Sequence, residues 1–381
     1  MRRNIEKSIL QDLNRKIVIL SGPRQCGKTY LSRQLLTKGI VYLNYDILDD
    51  RKIIIKRDWD ITQELVVFDE LHKMKNWKAW LKGIADQTQR KYKILVTGSA
   101  KLNTYKKVGD SLAGRYFYYR LYPLDLKEIS QNARINSHLA SAQQNLERLL
   151  TVSGFPEPFL ANDLGYYHRW QQTHLDVILR QDILETESVR NIKQMETLTM
   201  LLTEKVGSLL SYNSLREDLS TDDKSIKRWI NILENSYVIF RVYPYIHKSL
   251  TRGLKKSPKL YFFDIGRVSD PSSKLENLVA LSLLKEIHLR MDTLGEVFDL
   301  HYLQNKQKNE IDFILTKDRK PYMMIEVKES DSQASANFAY FEKALPGLKK
   351  VQLVKNLSQS RRTAQGVLIT PLAEWLEKMD F

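Results

Sequence analysis

The 381-residue sequence contains a single cysteine and no apolar run approaching the ~18 residues that span a bilayer. With only Cys26 present, an internal disulfide is excluded, and a reducing compartment fits this cysteine usage. The opening residues also lack the long apolar core of a secretory signal peptide. These absences predict a cytoplasmic protein without stable membrane insertion.

Negative charge is also in short supply, because the formal net charge is +15. Such an excess of lysine and arginine favours a polyanionic partner, with nucleic acid, and DNA in particular, ahead of an anionic membrane surface. The simpler alternative is a basic protein that its charge keeps in solution. The hydrophobic fraction, 43%, is ordinary for a globular protein, and the length predicts two or three domains.

What is present is a phosphate-loop motif near the start of the chain. An apolar run over 17–20 predicts a short buried strand, and GPRQCGKT follows it at once, before the helical run YLSRQLL. This strand–loop–helix context turns the pattern G-x-x-x-x-G-K-[ST] into a candidate triphosphate site. The predicted ATP-binding residues are Gly22, Pro23, Arg24, Gln25, Cys26, Gly27, Lys28, Thr29 and Tyr30.

Specific roles follow from the chemistry of phosphoryl transfer. Lys28 is expected to reach the β- and γ-phosphates, and the Thr29 hydroxyl to bind Mg²⁺. A later apolar run, LVVF, ends in Asp69 and Glu70, the pattern of a Walker B strand. Asp69 is then predicted to hold Mg²⁺ through water, and Glu70 to orient and polarise the attacking water.

Further candidates lie at the ends of the next two predicted strands. Thr97 and Ser99 close the strand that begins at Tyr92, where such ATPases place a group that senses the γ-phosphate; a simple capped strand end is the alternative. Arg115 precedes the strand over 116–121 and is predicted to stabilise the transition state of its own or a neighbouring subunit's ATP. A surface arginine is the competing interpretation, and Arg24 is a second candidate for the same role.

These motifs carry a family resemblance. GPRQCGKT, VVFDELHKMKNW, VTGSA, the GR before a strand and YPLDLKE resemble the bacterial and archaeal AAA+-type ATPases whose C-terminal region is catalogued as domain of unknown function 4143. The later segments SGFPEP, KRWINILENSYVIFRV, KLYFFDIGR and ENLVA agree with it, so the resemblance covers nearly the whole chain. It implies a five-stranded parallel sheet and leaves the cellular role open.

The middle of the chain predicts a winged helix. In the helix that begins near Asp222, four apolar residues share one face, and cations with an amide share the other. Two strands, 237–243 and 259–263, flank a basic loop. We expect the helix to enter a major groove and the loop to touch phosphates, although winged helices also bind proteins. The outward helix residues are Lys224, Lys227, Arg228 and Asn231, and the loop residues are His247, Lys248, Arg252, Lys255 and Lys256.

The C-terminal region shows the D…(D/E)-x-K pattern typical of restriction-endonuclease-like nucleases. Asp312 lies in an apolar strand, and Glu326 and Lys328 lie two residues apart in the next strand, so they share a face. Asp312 and Glu326 are predicted to bind Mg²⁺ and Lys328 to activate the attacking water, with Glu276 completing the metal shell. A surface ion-pair cluster is the alternative, although the apolar neighbours of both acids favour burial.

The predicted fold class is α/β: a P-loop AAA+-like ATPase domain, a winged-helix segment and a PD-(D/E)xK nuclease-like domain. The expected boundaries are 1–135 for the ATPase, 136–198 for a helical lid or linker, 199–270 for the winged helix and 271–381 for the nuclease-like domain. The predicted function is that of an ATP-binding and ATP-hydrolysing, DNA-associated protein with Mg²⁺ as cofactor and with cleavage undecided. The sequence leaves the oligomeric state open, with a homo-oligomer as one alternative. The alternative is an ATP-driven switch whose C-terminal domain binds without cutting.

Overall fold

The computed structural model describes residues 2–35, 39–87, 92–98, 112–132, 140–183, 192–246, 257–330 and 333–381. The chain divides into two compact units. The first comprises Met1–Pro123 together with the short segments Asn235–Tyr237 and Asp292–Leu294, and the second comprises the rest.

The first unit is built on a five-stranded sheet with the order β2-β3-β4-β1-β5. All neighbouring strands are parallel, which confirms the predicted parallel-sheet architecture. β1 and β3 are buried along their whole length, because apolar side chains occupy both faces, as a covered parallel sheet requires. The strands are β1 (Ile17–Ser21), β2 (Ile40–Asn44), β3 (Leu65–Asp69), β4 (Lys93–Gly98) and β5 (Tyr116–Arg120).

Helices and an aromatic cluster cover this sheet. Trp59 packs edge-on against Phe68 at 5.1 Å between ring centroids, and Phe68 packs against Trp80 at 5.3 Å. Trp77, Leu81 and Ile84 are buried in the same core, because their spacing places them on one face of a helix. The helices are α1 (Glu6–Leu13), α2 (Lys28–Gln34), α3 (Leu48–Lys56) and α4 (Trp77–Gln87).

The second unit contains an eight-stranded sheet with the order β12-β13-β11-β10-β9-β8-β6-β7. β8, β9 and β10 form an antiparallel meander. β11 pairs with β10 in parallel, and β13 pairs with β11 in parallel. The β6–β7 hairpin joins this sheet through a short parallel pairing of β6 with β8. The strands are β6 (Ile239–Pro244), β7 (Lys259–Phe262), β8 (Phe298–Gln304), β9 (Glu310–Lys317), β10 (Lys320–Lys328), β11 (Lys349–Val354), β12 (Arg361–Arg362) and β13 (Val367–Pro371).

The remaining helices begin in the second unit. They are α5 (Leu126–Ser130), α6 (Ala142–Val152), α7 (Pro156–Ala161), α8 (Leu164–Val177), α9 (Ile192–Thr203), α10 (Tyr212–Asp218), α11 (Asp223–Asn235), α12 (Pro271–Leu294), α13 (Ala336–Glu342) and α14 (Leu372–Glu377). A π-helical turn over Ile178–Ile183 continues α8. Among the helices in the described ranges, none is both long and apolar enough to cross a membrane.

The two faces of α11 differ as the sequence predicted. Ile226, Trp229, Ile230 and Leu233 are buried. Lys224, Lys227, Arg228 and Asn231 are exposed. The basic residues predicted for the tip of the β6–β7 hairpin, 247–256, lie outside the described residues.

Candidate functional site

Two glycines shape the loop between β1 and α2. A Cβ atom on Gly22 would lie 2.0 Å from the carbonyl oxygen of Leu121, so no other residue fits there. Gly27 precedes α2 in a left-handed conformation with φ +98°. The phosphate-loop motif therefore sits at the carboxyl end of β1 with both glycines where the backbone requires them.

Lys28 lies over the loop that precedes it. Its side chain is buried, and Nζ donates hydrogen bonds to the carbonyl oxygens of Gly22 at 2.9 Å and Pro23 at 2.7 Å. The ammonium group is thus held at the concave side of the loop, where phosphate oxygens of a triphosphate would find both a charge and donors.

Asp69, at the carboxyl end of β3, accepts hydrogen bonds from two other residues of the site. Thr29 Oγ1 donates to Asp69 Oδ2 at 3.2 Å, and the Thr97 hydroxyl donates to Asp69 Oδ1. Thr97 can do so because Asp69 and Thr97 are directly paired in the β3–β4 register. Hydroxyl and carboxylate oxygens are the ligands that Mg²⁺ prefers, so the donor set of Thr29 and Asp69 fits this cation.

Glu70 adopts a left-handed backbone conformation with φ +53° directly after β3. Its N–H donates to Asp69 Oδ1 and to the Thr97 carbonyl oxygen, both at 3.1 Å. Its carboxylate oxygen Oε2 lies 3.5 Å from Nδ1 of His72, a side chain that the sequence did not single out. The turn therefore aims the Glu70 side chain independently of the direction of β3.

The other predicted loop residues differ in accessibility. Cys26 is buried, and its Sγ donates to the Leu121 carbonyl oxygen at 3.2 Å. Gln25 is exposed with φ +61°. Pro23 is buried, Arg24 is half-buried, and Tyr30 is exposed. Ser99 lies outside the described residues.

Arg115 lies at the amino edge of the sheet, not at the edge that carries the phosphate loop. Its carbonyl oxygen accepts from the N–H of Ile17, the first residue of β1, and its guanidinium pairs with Asp86 at 2.8 Å. Because β5 and β1 are parallel, the length of a strand, about 15 Å, separates Arg115 from the loop. The predicted contact with the γ-phosphate of its own subunit is therefore wrong, and the contact with a neighbour's phosphate stays a prediction.

In the second unit, Asp312 of β9 and Glu326 of β10 lie side by side. Asp312 Oδ2 accepts from the N–H of Val327 at 2.8 Å, and Lys328 Nζ lies 3.5 Å from Glu326 Oε2. Burial, and after it the neighbouring Glu326 carboxylate, raises the pKa of Asp312 to about 8. Ser335 and Asn337 donate to Glu326 Oε1 at 3.1 and 3.3 Å. The structure therefore brings together three of the four predicted residues of this site.

Glu276, the fourth, is engaged elsewhere. Its Oε1 accepts from Lys259 Nζ at 3.1 Å and from the Tyr261 hydroxyl at 2.6 Å. Lys259 is 2% exposed and also pairs with Glu310. Burial, followed by the charge of Asp312, raises the pKa of Glu276. Glu276 was predicted to bind a metal ion. The positive charge beside it comes instead from Lys259, a buried lysine that the sequence did not single out.

These contacts limit the metal chemistry of the acidic cluster. In the part of the chain that the structure describes, no three His, Cys, Asp or Glu side chains are grouped so as to hold one metal ion. Asp312 and Glu326 offer two adjacent carboxylates, and because like charges repel, such a pair favours a proton or a cation between its oxygens. The pair fits a divalent ion only as part of a shell completed by backbone or water oxygens.

Three sequence-family models match consecutive stretches of the chain. Residues 14–130 match an AAA domain, residues 143–270 match the domain of unknown function DUF8612, and residues 273–375 match the domain of unknown function DUF4143.

The chain is also similar to curated proteins. An uncharacterized protein from Methanocaldococcus jannaschii is 25% identical over 380 residues, covering 92% of this chain and 82% of its own length. An uncharacterized protein from Haemophilus influenzae is 23% identical over 338 residues, covering 79% and 80%. The similarity therefore extends across both units but brings no established activity with it.

Two solved structures resemble the chain weakly. A RuvB variant from Thermotoga maritima matches with a TM-score of 0.35 and 15% identity, over 64% of this chain and 90% of its own. The Orc1 protein of Aeropyrum pernix in complex with DNA matches with a TM-score of 0.34 and 10% identity, over 74% and 92%. Scores this low carry no argument about function. The family models, the motif and the parallel sheet together identify residues 14–130 as an AAA-type P-loop domain, followed in this chain by a DUF4143 region.

Proposed function

We propose that the chain binds ATP with Mg²⁺ at the carboxyl edge of the first sheet and hydrolyses it. The observation that carries the proposal is the Asp69 carboxylate, which accepts hydrogen bonds from Thr29 and Thr97 beside the loop that holds Lys28. The match of residues 14–130 to an AAA domain supports the same function.

Each side chain of the site has a distinct role in this proposal. Lys28 and the loop N–H groups bind the phosphates, and Thr29 and Asp69 hold Mg²⁺. When bound, Mg²⁺ neutralises charge on the β- and γ-phosphates. Glu70 holds and polarises the attacking water, and Thr97 keeps the Asp69 carboxylate in place through its hydrogen bond.

A titration of the purified chain with ATP and MgCl₂ tests the proposal. We expect Lys28→Ala to weaken ATP binding by at least about tenfold, because a charge-assisted contact is worth roughly 1.5–3 kcal/mol. Lys52→Ala is the matched control, because Lys52 is an exposed lysine of the same unit that pairs only with the exposed Asp49 in the contacts described. Absence of ATP binding by the wild-type chain would refute the proposal.

For the second unit we propose a nuclease-like domain in which Asp312, Glu326 and Lys328 act on a phosphodiester with a divalent cation. The buried carboxylate pair and the adjacent lysine support this role. Lys328 would steady negative charge on the reacting phosphate or activate water. The finer division into lid, winged helix and nuclease-like domain belongs to this proposal as well.

Incubation of supercoiled plasmid with the protein and Mn²⁺ or Mg²⁺, with and without ATP, tests cleavage. Nicking that both Glu326→Ala and Lys328→Ala abolish supports the nuclease. Lys320→Ala, an exposed lysine of the same strand, should leave it unchanged. Plasmid that stays supercoiled under every condition would exclude cleavage.

A switch that binds without cutting is the second candidate, and one observation favours it. Glu276 is bound by Lys259 and Tyr261, so it does not complete a three-carboxylate metal shell with Asp312 and Glu326. The same plasmid assay separates the two functions, because a switch shifts the mobility of intact plasmid in a gel and produces no nicked form.

A further inference from the structure

Tyr42, on β2, reaches the nucleotide site from a strand that no phosphate-loop motif includes. Its hydroxyl donates a hydrogen bond to Asp69 Oδ2, the oxygen that also accepts from Thr29 Oγ1 at 3.2 Å. A tyrosine phenol keeps its proton at neutral pH, so the Tyr42 hydroxyl acts as the donor in this hydrogen bond.

Both ends of the Tyr42 side chain are held. The Arg33 guanidinium, on α2, lies 4.4 Å from the centroid of the Tyr42 ring, a cation–π contact that fixes the plane of the ring. The hydroxyl at the far end is fixed by Asp69. Tyr42 therefore contacts both the helix that follows the phosphate loop and the acidic residue that the loop faces.

The Asp69 carboxylate is saturated with donors. Oδ2 accepts from Thr29 and Tyr42, and Oδ1 accepts from Thr97 and from the N–H of Glu70. The Thr29 hydroxyl can bind a metal through its lone pairs while its hydrogen still points at Asp69. The Tyr42 hydroxyl spends its one proton on Asp69 Oδ2, an oxygen that a water molecule on Mg²⁺ would also need as its acceptor.

We propose that Tyr42 is a positioning residue that competes with the water shell of Mg²⁺ for Asp69 Oδ2, and so weakens Mg²⁺ binding in the nucleotide complex. The inference rests on the proposed ATP site. It predicts that Mg²⁺ increases the affinity for ATP less in the wild-type chain than in a chain without the Tyr42 hydroxyl.

The test compares nucleotide affinity with and without Mg²⁺. Binding of the fluorescent analogue mant-ATP to the full chain is measured in excess EDTA and in excess MgCl₂. The Kd in EDTA divided by the Kd in MgCl₂ reports the coupling between cation and nucleotide. Tyr42→Phe removes the hydroxyl and keeps the ring over Arg33. We expect an unchanged Kd in EDTA and a Kd about tenfold lower in MgCl₂, equivalent to about 1.4 kcal/mol.

Tyr45→Phe is the matched control. Tyr45 lies just past β2, and its ring carries the same kind of contact, with Arg51 4.8 Å from the centroid. Its hydroxyl is not among the described donors to Asp69, so the ratio of Kd values should equal that of the wild type. Tyr42→Leu serves as a second variant and should raise the coupling in the same direction as Tyr42→Phe.

The results separate this inference from the proposal on which it rests. A ratio for Tyr42→Phe that is equal to or smaller than the wild-type ratio overturns the competition, because Tyr42 would then be neutral or helpful to the cation. Wild-type protein that binds mant-ATP under neither condition overturns the proposed ATP site, and this inference with it. An unchanged Kd in EDTA also shows that the variant is folded.

Discussion

At the scale of single residues, the backbone conformation of Glu70 determines what its carboxylate can do. The left-handed turn at Glu70 moves its side chain out of the strand direction and places Oε2 3.5 Å from His72 Nδ1. Because the Glu70 side chain does not follow the alternation of β3, its carboxylate can point toward a water molecule at a bound phosphate.

The first prediction concerns Glu70. We expect Glu70→Gln to bind ATP with wild-type affinity and to lose turnover by about 10²-fold or more, the usual contribution of a general base. Phosphate release measured at saturating ATP, beside a binding titration, checks both halves. The variant Glu64→Gln, at an exposed acid just before β3, should hydrolyse ATP normally. Full turnover by Glu70→Gln would remove its catalytic role.

The second prediction concerns the carboxylate pair of Asp312 and Glu326. In excess EDTA we expect Asp312→Asn to raise the free energy of unfolding by about 1 kcal/mol or more, because each unit of pKa shift corresponds to about 1.4 kcal/mol. An amide still accepts from the Val327 N–H but needs no proton to sit beside Glu326. Urea unfolding at pH 7 measures the change.

The matched change for that experiment is Asp318→Asn, on the exposed turn between β9 and β10, which should alter stability little. Added Mn²⁺ should then stabilise the wild type more than Asp312→Asn, if the pair holds the cation. Destabilisation of Asp312→Asn in EDTA would mean that the carboxyl group contributes a contact that an amide cannot replace.

At the scale of elements, α11 combines a buried apolar face with exposed cations, the arrangement of a helix that can lie on a polyanion. Lys224 and Lys227 are the exposed lysines of this face. The third prediction is that Lys224→Ala with Lys227→Ala lowers affinity for duplex DNA and reduces the slope of log K against log salt by about 2.

Fluorescence anisotropy with a labelled duplex at several salt concentrations measures that slope. The double variant Arg319→Ala with Lys320→Ala, which removes one exposed cation just before β10 and one at its first residue, should leave the slope unchanged. Equal losses from both double variants would indicate a response to net charge alone and would contradict the predicted contact between α11 and DNA.

Element prediction succeeded where the signal is local. The apolar run before GPRQCGKT and the run that ends at Asp69 each form a buried strand, because one short segment contains all the information. The pairing of β6 with β8 was not predicted, since it joins segments about 60 residues apart that no local pattern relates. Tyr42 and Lys259 were missed for the same reason, because only the folded sheets bring them to Asp69 and Glu276.

At the scale of the whole molecule, the position of Arg115 bears on assembly. The guanidinium lies at the sheet edge opposite the phosphate loop, so any contact it makes with ATP belongs to another copy of the chain. The fourth prediction is complementation. Arg115→Ala and Glu70→Gln should each be inactive alone, and a mixture should regain ATPase activity, because Arg115→Ala sites keep Glu70 and receive Arg115 from the other variant.

Specific ATPase activity, measured per molecule of protein, should also rise with protein concentration, because assembly brings the two copies together. Lys16→Ala, at another cation beside the start of β1, is a suitable control in place of Arg115→Ala and should be active alone. Wild-type activity of Arg115→Ala would assign Arg115 to its ion pair with Asp86 and to nothing more.

The single thiol of the chain has a practical consequence. Cys26 is buried in the phosphate loop with its sulfur against the Leu121 carbonyl oxygen, so a maleimide can react only when this stretch transiently opens. Because the sequence has no other cysteine to compete for reagent, the rate of adduct formation measures how often this stretch opens. Mass spectrometry of the adduct thus measures transient opening of the phosphate loop in the natural sequence, with no cysteine introduced by mutation.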